Sequence, residues 1–206
     1  MTFKYILCLP LIAALLACSD DGPDTPDPGT DEPGTSVEKL VSINAEQTFQ
    51  TLAGFGASDC WMPAYVGKYW TSGRDKISEL LFSSEIQSGN PKGIGLSMWR
   101  VNLGGGSAGQ GDDSGIEDKS RRAESYLTDD LSFDWTRCEG QRYFMNRAKE
   151  FGCESMVLFS NTPPVQYTYN GKGFSNRGGT SNLKSEHYTD FAAYMADVAR
   201  HYLNEG

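Results

Sequence analysis

The chain has 206 residues, a formal net charge of −9, 38% apolar residues and 12% aromatic residues. This length and composition suit one domain with a hydrophobic core and exclude a chain that is disordered throughout. No basic patch interrupts the acidic balance, which argues against nucleic acid as a partner.

The N-terminal stretch 1–17 has the pattern of a secretory signal peptide. Lys4 precedes an apolar run that is too short to span a bilayer as a mature helix. The run ends in "LLAC", the cleavage pattern of bacterial lipoproteins, which predicts that Cys18 is the lipid-bearing first residue. We therefore expect a protein of the bacterial cell envelope that reaches the membrane through its lipid anchor only. The alternative is a signal peptide with a cysteine at the cleavage point by chance.

A polar linker follows. Residues 19–36, "SDDGPDTPDPGTDEPGTS", carry six acidic groups, no basic group and four of the nine prolines. Because such a segment has little apolar surface to bury, 18–36 is predicted to be a disordered, solvated tether. The folded domain is predicted over 37–206.

Strands and helices alternate along this domain. Two short strands come first, one around Val41 and Ile43 and a second that ends at Phe55. The remaining predicted elements, in chain order, are a helix over 74–82, a strand over 93–103, a helix over 137–152, a strand over 155–160 and a helix over 184–203. This order predicts parallel strands with crossover helices, in an α/β sheet covered on both faces.

The helices are recognised by their apolar stripes. In 137–152 the stripe is Phe144, Ala148 and Phe151, and Gly152 is the predicted stop. In 184–203 the stripe runs through Tyr188, Phe191, Ala192, Met195, Val198, Ala199 and Tyr202.

Loop lengths help to choose between the two α/β architectures. The connections after the strands, about thirty residues from 104 and then 161–182, are long and polar, while those from helix to strand are shorter. A barrel that builds its site from strand-to-helix loops at one end has this asymmetry, which favours a TIM barrel over an open doubly wound sheet.

Cysteine and histidine residues argue against a disulfide framework and against a metal centre. Beyond the signal peptide and Cys18 there remain Cys60, Cys138 and Cys153, an odd number. If 138–153 is helical, its two cysteines lie roughly 22 Å apart and cannot pair. The two histidines, His187 and His201, share one predicted helix but lie too far apart for one ion. We expect no metal and no cofactor.

The stretch "GIGLSMWRVNLGGGSAGQGDDSG", residues 93–115, carries the strongest local signal. Gly104, Gly106 and Gly109 match the G-x-G-x-x-G fingerprint of dinucleotide-binding proteins. That fingerprint needs a helix that begins within the glycines and holds the pyrophosphate at its N-terminus. No apolar helical stripe follows here, so nucleotide binding is not expected.

Arg100 and Asn102 lie at the carboxyl end of this predicted strand. Arg100 shares its face with Ile94, Leu96 and Met98, and a barrel would place its guanidinium at the mouth of the site. There it could orient a carboxylate through paired hydrogen bonds and hold it ionised. The alternative is an arginine that only pairs with an aspartate across the rim.

Six motifs together resemble a known family. These are "TLAGFGASDCW", "GIGLSMWRVNLGGGSAGQGDDSGI", "RRAE", "FSNTPPV", "YNGKG" and "NLKSEHYTDFAAYMADVARHY". In this order they resemble glycoside hydrolase family 30, and within it the endo-β-1,6-galactanase-like branch. The resemblance implies a retaining glycosidase that acts on a β-linked glycan, folded as a (β/α)8 barrel, with a first strand that belongs to a small side β-domain.

The resemblance also implies roles for individual residues. Arg100 would orient the nucleophilic glutamate, and Asp59, Trp61 and Asn161 would line the same mouth beside Asn102. Trp61 would offer a flat apolar face to a sugar ring, although a tryptophan packed under the loop is the alternative. The family usually has tryptophan where this chain has Gln166, which implies a weakened or altered sugar-stacking wall.

Retaining hydrolysis needs two carboxyl groups about 5 to 5.5 Å apart. The resemblance places both at the ends of the fourth and seventh barrel strands, whereas 37–206 accounts for about three βα units of a barrel. Both catalytic glutamates are therefore expected beyond Gly206. Glu205, in "NEG", follows a helix without an intervening strand and is not expected to be the acid.

We therefore expect the N-terminal part of an enzyme, inactive by itself. The two alternatives are a lipid-anchored glycan-binding protein without catalysis and a decayed gene fragment. Glycan-binding modules are usually β-sandwiches, and the long helix over 184–203 argues against the first alternative.

Overall fold

The computed structural model describes residues 41–206, so the predicted signal peptide, Cys18 and the tether lie outside the described residues. The chain divides into two units, Met1–Leu52 and Ala53–Gly206. In the described part of the first unit, residues 41–52, there is a turn but no strand, and Val41 is half exposed. The strand predicted around Val41 and Ile43 is wrong for residues 41–52, because no backbone within residues 41–206 pairs with this segment. The described residues thus contain no side β-domain.

The second unit holds the regular elements. They are β1 (Gly56–Ser58), α1 (Met62–Tyr69), α2 (Arg74–Phe82), β2 (Ile86–Gln87), β3 (Asn90–Pro91), β4 (Met98–Asn102), α3 (Glu139–Glu150), β5 (Ser155–Phe159) and α4 (Tyr188–Glu205). Within residues 41–206, none of these helices is long and apolar enough to cross a membrane.

The central sheet has three strands in the order β1-β4-β5, and both pairings are parallel. The register places Ser58 beside Arg100 and Arg100 beside Val157. β2 and β3 form a separate antiparallel hairpin. The mixed α/β fold with a parallel sheet is thus confirmed, but the described strands do not close into a barrel.

Several predicted elements match the structure closely, and others do not. The predicted helix over 74–82 coincides with α2, and the predictions over 137–152 and 155–160 contain α3 and β5. The strand predicted over 93–103 is only Met98–Asn102, because the N–H of Ile94 donates to Leu80 O at the end of α2. Gly95, with φ +64°, then turns the chain into the sheet. The strand predicted to end at Phe55 begins one residue later, and α1 was not predicted.

The helices cover one face of the sheet. Trp99 and Val101 of β4 are 1% and 2% exposed and pack with Phe82 of α2 and Phe144 of α3. On the opposite face, Arg100 is exposed and Val157 is 51% exposed. The prediction of a sheet covered on both faces is therefore wrong for the described residues, because all the packed helices lie on the Trp99 side.

Helices α1 and α3 touch through two glycines. A Cβ atom added to Gly140 would lie 1.8 Å from the carbonyl oxygen of Ala64, and one added to Gly67 would lie 2.4 Å from Gly140 O. Backbone this close leaves no space for a side chain on either helix. The two glycines thus set how near α3 can approach the chain that follows β1.

The long connection after β4, which we call the β4 loop (residues 103–138), has a core of its own. Its Tyr126 and Leu127 are buried against Tyr194 and Val198 of α4. The predicted α4 stripe is correct only in part: Tyr188 is 57% exposed, whereas Tyr194, which the stripe omits, is 2% exposed. The buried face of α4 is turned toward this loop as well as toward the sheet.

Candidate active site

A cleft of about 740 Å³ lies where the parallel strands end. Its walls come from the end of β1, from the β4 loop and from the connection after β5, which we call the β5 loop (residues 160–184). Its lining includes Trp61, Asn102, Arg121, Asn161 and Phe174. The carboxyl end of a parallel sheet is where α/β folds place their ligands.

Close backbone approach holds the two loops together. The N–H of Val165 donates to Gly105 O at 2.8 Å, and Gln110 Nε2 donates to Gly171 O at 2.7 Å. A Cβ atom on Gly105 would lie 2.6 Å from Pro163 O. The glycine-rich run after β4 thus lets the β5 loop pack against it. No α-helix begins within the run, since the next one along the chain is α3, which agrees with the argument against nucleotide binding.

Three of the residues predicted to line the site share this cleft: Trp61, Asn102 and Asn161. Trp61 follows the end of β1, and the guanidinium carbon of Arg121 lies 4.8 Å from the centre of a Trp61 ring. Asn161 Nδ2 donates to Cys60 Sγ at 3.4 Å, which ties the start of the β5 loop to the end of β1.

Asn102 is only 5% exposed, yet its side-chain Oδ1 has no hydrogen-bond partner among the described residues. A buried amide oxygen without a partner is costly in a folded protein. The residue lines the cleft, but this oxygen has less than 1 Å² of exposed surface, so a ligand could reach it only if the side chain moved.

Asp59 does not line the cleft; its side chain is fully buried behind it. Asp59 Oδ1 accepts from the N–H of Asn102 at 2.8 Å, and Oδ2 accepts from Gln141 Nε2 at 2.7 Å. Burial raises the pKa of Asp59 from 3.8 to about 6, against the opposing effect of these hydrogen bonds and of the Arg100 charge. Asp59 therefore links β1, β4 and α3.

Arg100 lies on the open face of the sheet, in a shallow depression with Ser58, Met98 and Val157. Its guanidinium carbon lies 3.5 Å from the centre of the Phe159 ring. No carboxylate among the described residues forms an ion pair with Arg100, so the alternative of a rim aspartate as its partner is not seen in residues 41–206.

Gln166 lies outside the lining of the cleft. Its Nε2 donates to Asp129 Oδ1 at 3.2 Å, so the side chain links the β5 loop to the far part of the β4 loop. In this position Gln166 braces the two loops and presents no surface to the cleft.

Sequence reasoning missed three residues at or behind the cleft: Arg121, Phe174 and Gln141. Arg121 and Phe174 lie in or next to the motifs "RRAE" and "YNGKG", which were noted without a role for either residue. Gln141 had a usable signal, because it precedes Phe144 by three positions and so places a polar group on the buried stripe of α3. A polar residue on such a stripe needs a buried partner.

The remaining candidates for chemistry are the three cysteines and Glu205. Cys60, Cys138 and Cys153 are free thiols, and no cluster of three potential metal ligands occurs among residues 41–206. Glu205 is at the end of α4, where its carbonyl oxygen accepts from Lys149 Nζ and its carboxylate pairs with His201. Gly206 and Ser155 line one depression, so this end of α4 is near the start of β5 and away from the cleft.

Comparisons with known proteins give this geometry a family. The chain is 28% identical over 180 residues to an endo-beta-1,6-galactanase of Hypocrea rufa, covering 80% of this chain and 36% of that protein. A crystal structure of a conserved exported protein from Bacteroides fragilis is 33% identical, with a TM-score of 0.73, over 80% of this chain and 34% of the other. The chain thus spans about a third of the length of both relatives. The model of O-glycosyl hydrolase family 30 matches residues 38–206, and the chain belongs to that family.

Proposed function

We propose that this chain forms the first part of the active-site cleft of a retaining glycosidase that cleaves β-1,6-galactan or a related β-linked glycan. The observation that carries the proposal is the convergence of Trp61, Asn102 and Asn161 in one cleft at the carboxyl end of the sheet. Family membership supports the reaction class, and the endo-beta-1,6-galactanase from Hypocrea rufa supports the substrate.

The side chains of the cleft suit a sugar chemically. Trp61 and Phe174 offer flat apolar surfaces, which match the C–H face of a pyranose ring. The amides of Asn102 and Asn161 can exchange hydrogen bonds with hydroxyl groups.

We place the catalytic carboxyl groups outside residues 41–206, on further barrel strands. Retention requires two such groups about 5 to 5.5 Å apart on facing strands. The carboxylates in the cleft wall, Glu117 and Asp118, are adjacent residues of one loop. Asp118 accepts from the hydroxyl of Ser120, which lowers its pKa and makes it a poor proton donor. Neither is our candidate acid.

In this proposal Arg100 orients and keeps ionised the nucleophilic carboxylate. Its charge has no ion-pair partner among the described residues, and it lies on the sheet face where a barrel interior would be. Loss of such a charge beside an ionic transition state should lower turnover by about 10² to 10³.

The test is sugar release from β-1,6-galactan by the 206-residue chain and by any longer protein translated from the same gene. We expect none from the chain, and release with retained anomeric configuration from the longer protein. Arg100→Ala should lower that turnover by about 10² to 10³, while Arg200→Ala, at an exposed position of α4, should leave it unchanged. Glycan binding without hydrolysis by the longest product would favour the binding-protein alternative. Hydrolysis by the chain that Glu117→Gln abolishes would overturn our placement of the carboxylates.

We also propose that the protein is exported and anchored to the cell envelope through a lipid on Cys18. The support is the "LLAC" pattern and the similarity to a protein described as exported. Mass spectrometry of the mature N-terminus should find a diacylated or triacylated Cys18, and Cys18→Ser should release the protein from membranes. An unmodified N-terminus would contradict the anchor.

A further inference from the structure

Gln141 of α3 makes two short contacts behind the cleft. Its Nε2 donates to Asp59 Oδ2 at 2.7 Å and to the carbonyl oxygen of Asn102 at 2.6 Å. Asp59 completes the arrangement, since its Oδ1 accepts from the N–H of Asn102 at 2.8 Å. All three residues are at most 5% exposed.

These contacts replace a missing stretch of strand. In the parallel register Ser58 lies beside Arg100, and β1 ends at Ser58. Both backbone groups of Asn102 point to the β1 side, as those of Arg100 do, because the groups of a parallel strand alternate between its neighbours. The Asp59 carboxylate and the Gln141 amide therefore take the places that strand backbone would fill.

We infer that Gln141 is a positioning residue of the cleft: with Asp59 it fixes the backbone of Asn102 so that the Asn102 amide faces a bound glycan. This inference rests on the proposed function of the cleft. Gln141 itself is on α3, behind the sheet, and acts only through Asn102. Asn102 lines the cleft, and these contacts to its backbone set the direction of its side-chain amide.

The brace depends on the charge state of Asp59. An ionised carboxylate accepts from both donors, whereas a protonated one has a hydrogen that must find an acceptor. The other ionisable groups that face Asp59 are Arg100 on β4, Cys60 after β1 and Cys138 before α3. Of these, Arg100 favours the ionised carboxylate, and burial opposes it.

The experiment uses Gln141→Met, which keeps the length of the side chain and removes its donor. In the 206-residue chain we expect this substitution to weaken the binding of β-1,6-galactotriose about 10-fold, measured by calorimetry at pH 7.5. In nuclear magnetic resonance spectra, the pH titration of the Asn102 backbone amide should move to higher pH, because the Gln141 hydrogen bond lowers the pKa of Asp59. The control Gln110→Met removes a donor that links the loops, and should leave the Asn102 titration in place.

A double-mutant cycle separates positioning from general destabilisation. If Gln141 acts through Asn102, adding Gln141→Met to Asn102→Ala should weaken binding of β-1,6-galactotriose by less than about a further twofold. Full additivity, or binding by Gln141→Met within twofold of wild type, would overturn the inference. Should Gln141→Met not fold, the wild-type spectra decide: the Gln141 side-chain NH2 and the Asn102 amide must titrate with one midpoint.

The same data separate this inference from the proposed function. If neither the wild-type 206-residue chain nor any longer product of the gene binds β-1,6-galactotriose, the proposed function is contradicted, whatever the spectra of Gln141→Met show. Wild-type chain that binds the sugar, combined with an Asn102 amide that ignores Gln141→Met, contradicts the inference alone.

Discussion

The two faces of β4 differ in what they contact. Trp99 and Val101 lie in an apolar core that the helices fill, while Arg100 lies on the open face and has no ion-pair partner among the described residues. Successive strand residues point to opposite faces, so neighbouring positions of β4 have different surroundings. In β4 the residues that stabilise the core therefore alternate with the residue to which we assign a role in catalysis.

Substitutions at adjacent positions should therefore have very different effects on stability. Trp99 packs edge-on against Phe82, with ring centroids 5.0 Å apart, and its neighbour on the other side is Phe144. We expect Trp99→Ala to lower the free energy of unfolding by about 3 to 5 kcal/mol. Arg100→Ala should lower it by no more than about 1 kcal/mol, since the side chain is exposed and what it loses is its contact with the Phe159 ring. Urea denaturation followed by circular dichroism measures both, and equal losses would break the contrast between the faces.

The contact between α1 and α3 allows a second test on the helix side. Gly140→Ala would place a methyl group against the carbonyl oxygen of Ala64. Because backbone must move to make room, we expect the free energy of unfolding to fall by about 3 kcal/mol. Gly73→Ala is the matched control, because the nearest atom to its added Cβ lies at 4.0 Å. Thermal denaturation of the two variants should therefore differ by many degrees. A Gly140→Ala variant as stable as the control would show that α1 can shift away from α3 at little cost.

Periodicity predicted the part of the fold that one apolar face determines. The stripe of α3, with Phe144 and Ala148 fully buried, and the strand at Ser155–Phe159 both follow from local pattern. Helix α1 was not predicted, because its eight residues bury only Val66 and Gly67 and so show no apolar stripe. It is stabilised instead by backbone contact with Gly140, which is distant in sequence and leaves no periodic signal.

The candidate site was predictable to the same extent. Trp61, Asn102 and Asn161 lie at the carboxyl ends of strands or within three residues beyond them, and parallel strands bring these ends together. The burial of Asp59 could not be predicted, because its partner Gln141 is 82 positions away in the sequence. Contacts of that kind depend on how α3 packs, which no local pattern specifies.

Asp59, behind the cleft, should have a smaller effect on the free energy of unfolding than the substitutions at Trp99 and Gly140. This effect can be measured because it depends on pH. The pKa of Asp59 is raised from 3.8 to about 6 by burial, so the folded chain binds the proton more tightly than the unfolded chain. The contribution of Asp59 to stability is therefore fully present below pH 3.8 and is lost as the pH rises through 6. Between pH 7 and pH 4.5 this gain amounts to about 2 kcal/mol.

Asp59→Asn removes this gain, and the comparison of the two proteins isolates it from the other acids. Exposed carboxylates act in the opposite sense: the hydroxyl of Thr128 lowers the pKa of Asp130 to about 2, so Asp130 favours folding at neutral pH and loses that effect in strong acid. Urea denaturation at pH 7 and pH 4.5 should show wild type gaining about 2 kcal/mol relative to Asp59→Asn. Wild type compared with Asp130→Asn, the matched control, should show no such gain, because the folded and unfolded pKa values of Asp130 both lie below that window. If the free energy of unfolding changes equally with pH in wild type and in Asp59→Asn, then the pKa of Asp59 is not raised and burial does not destabilise its ionised form.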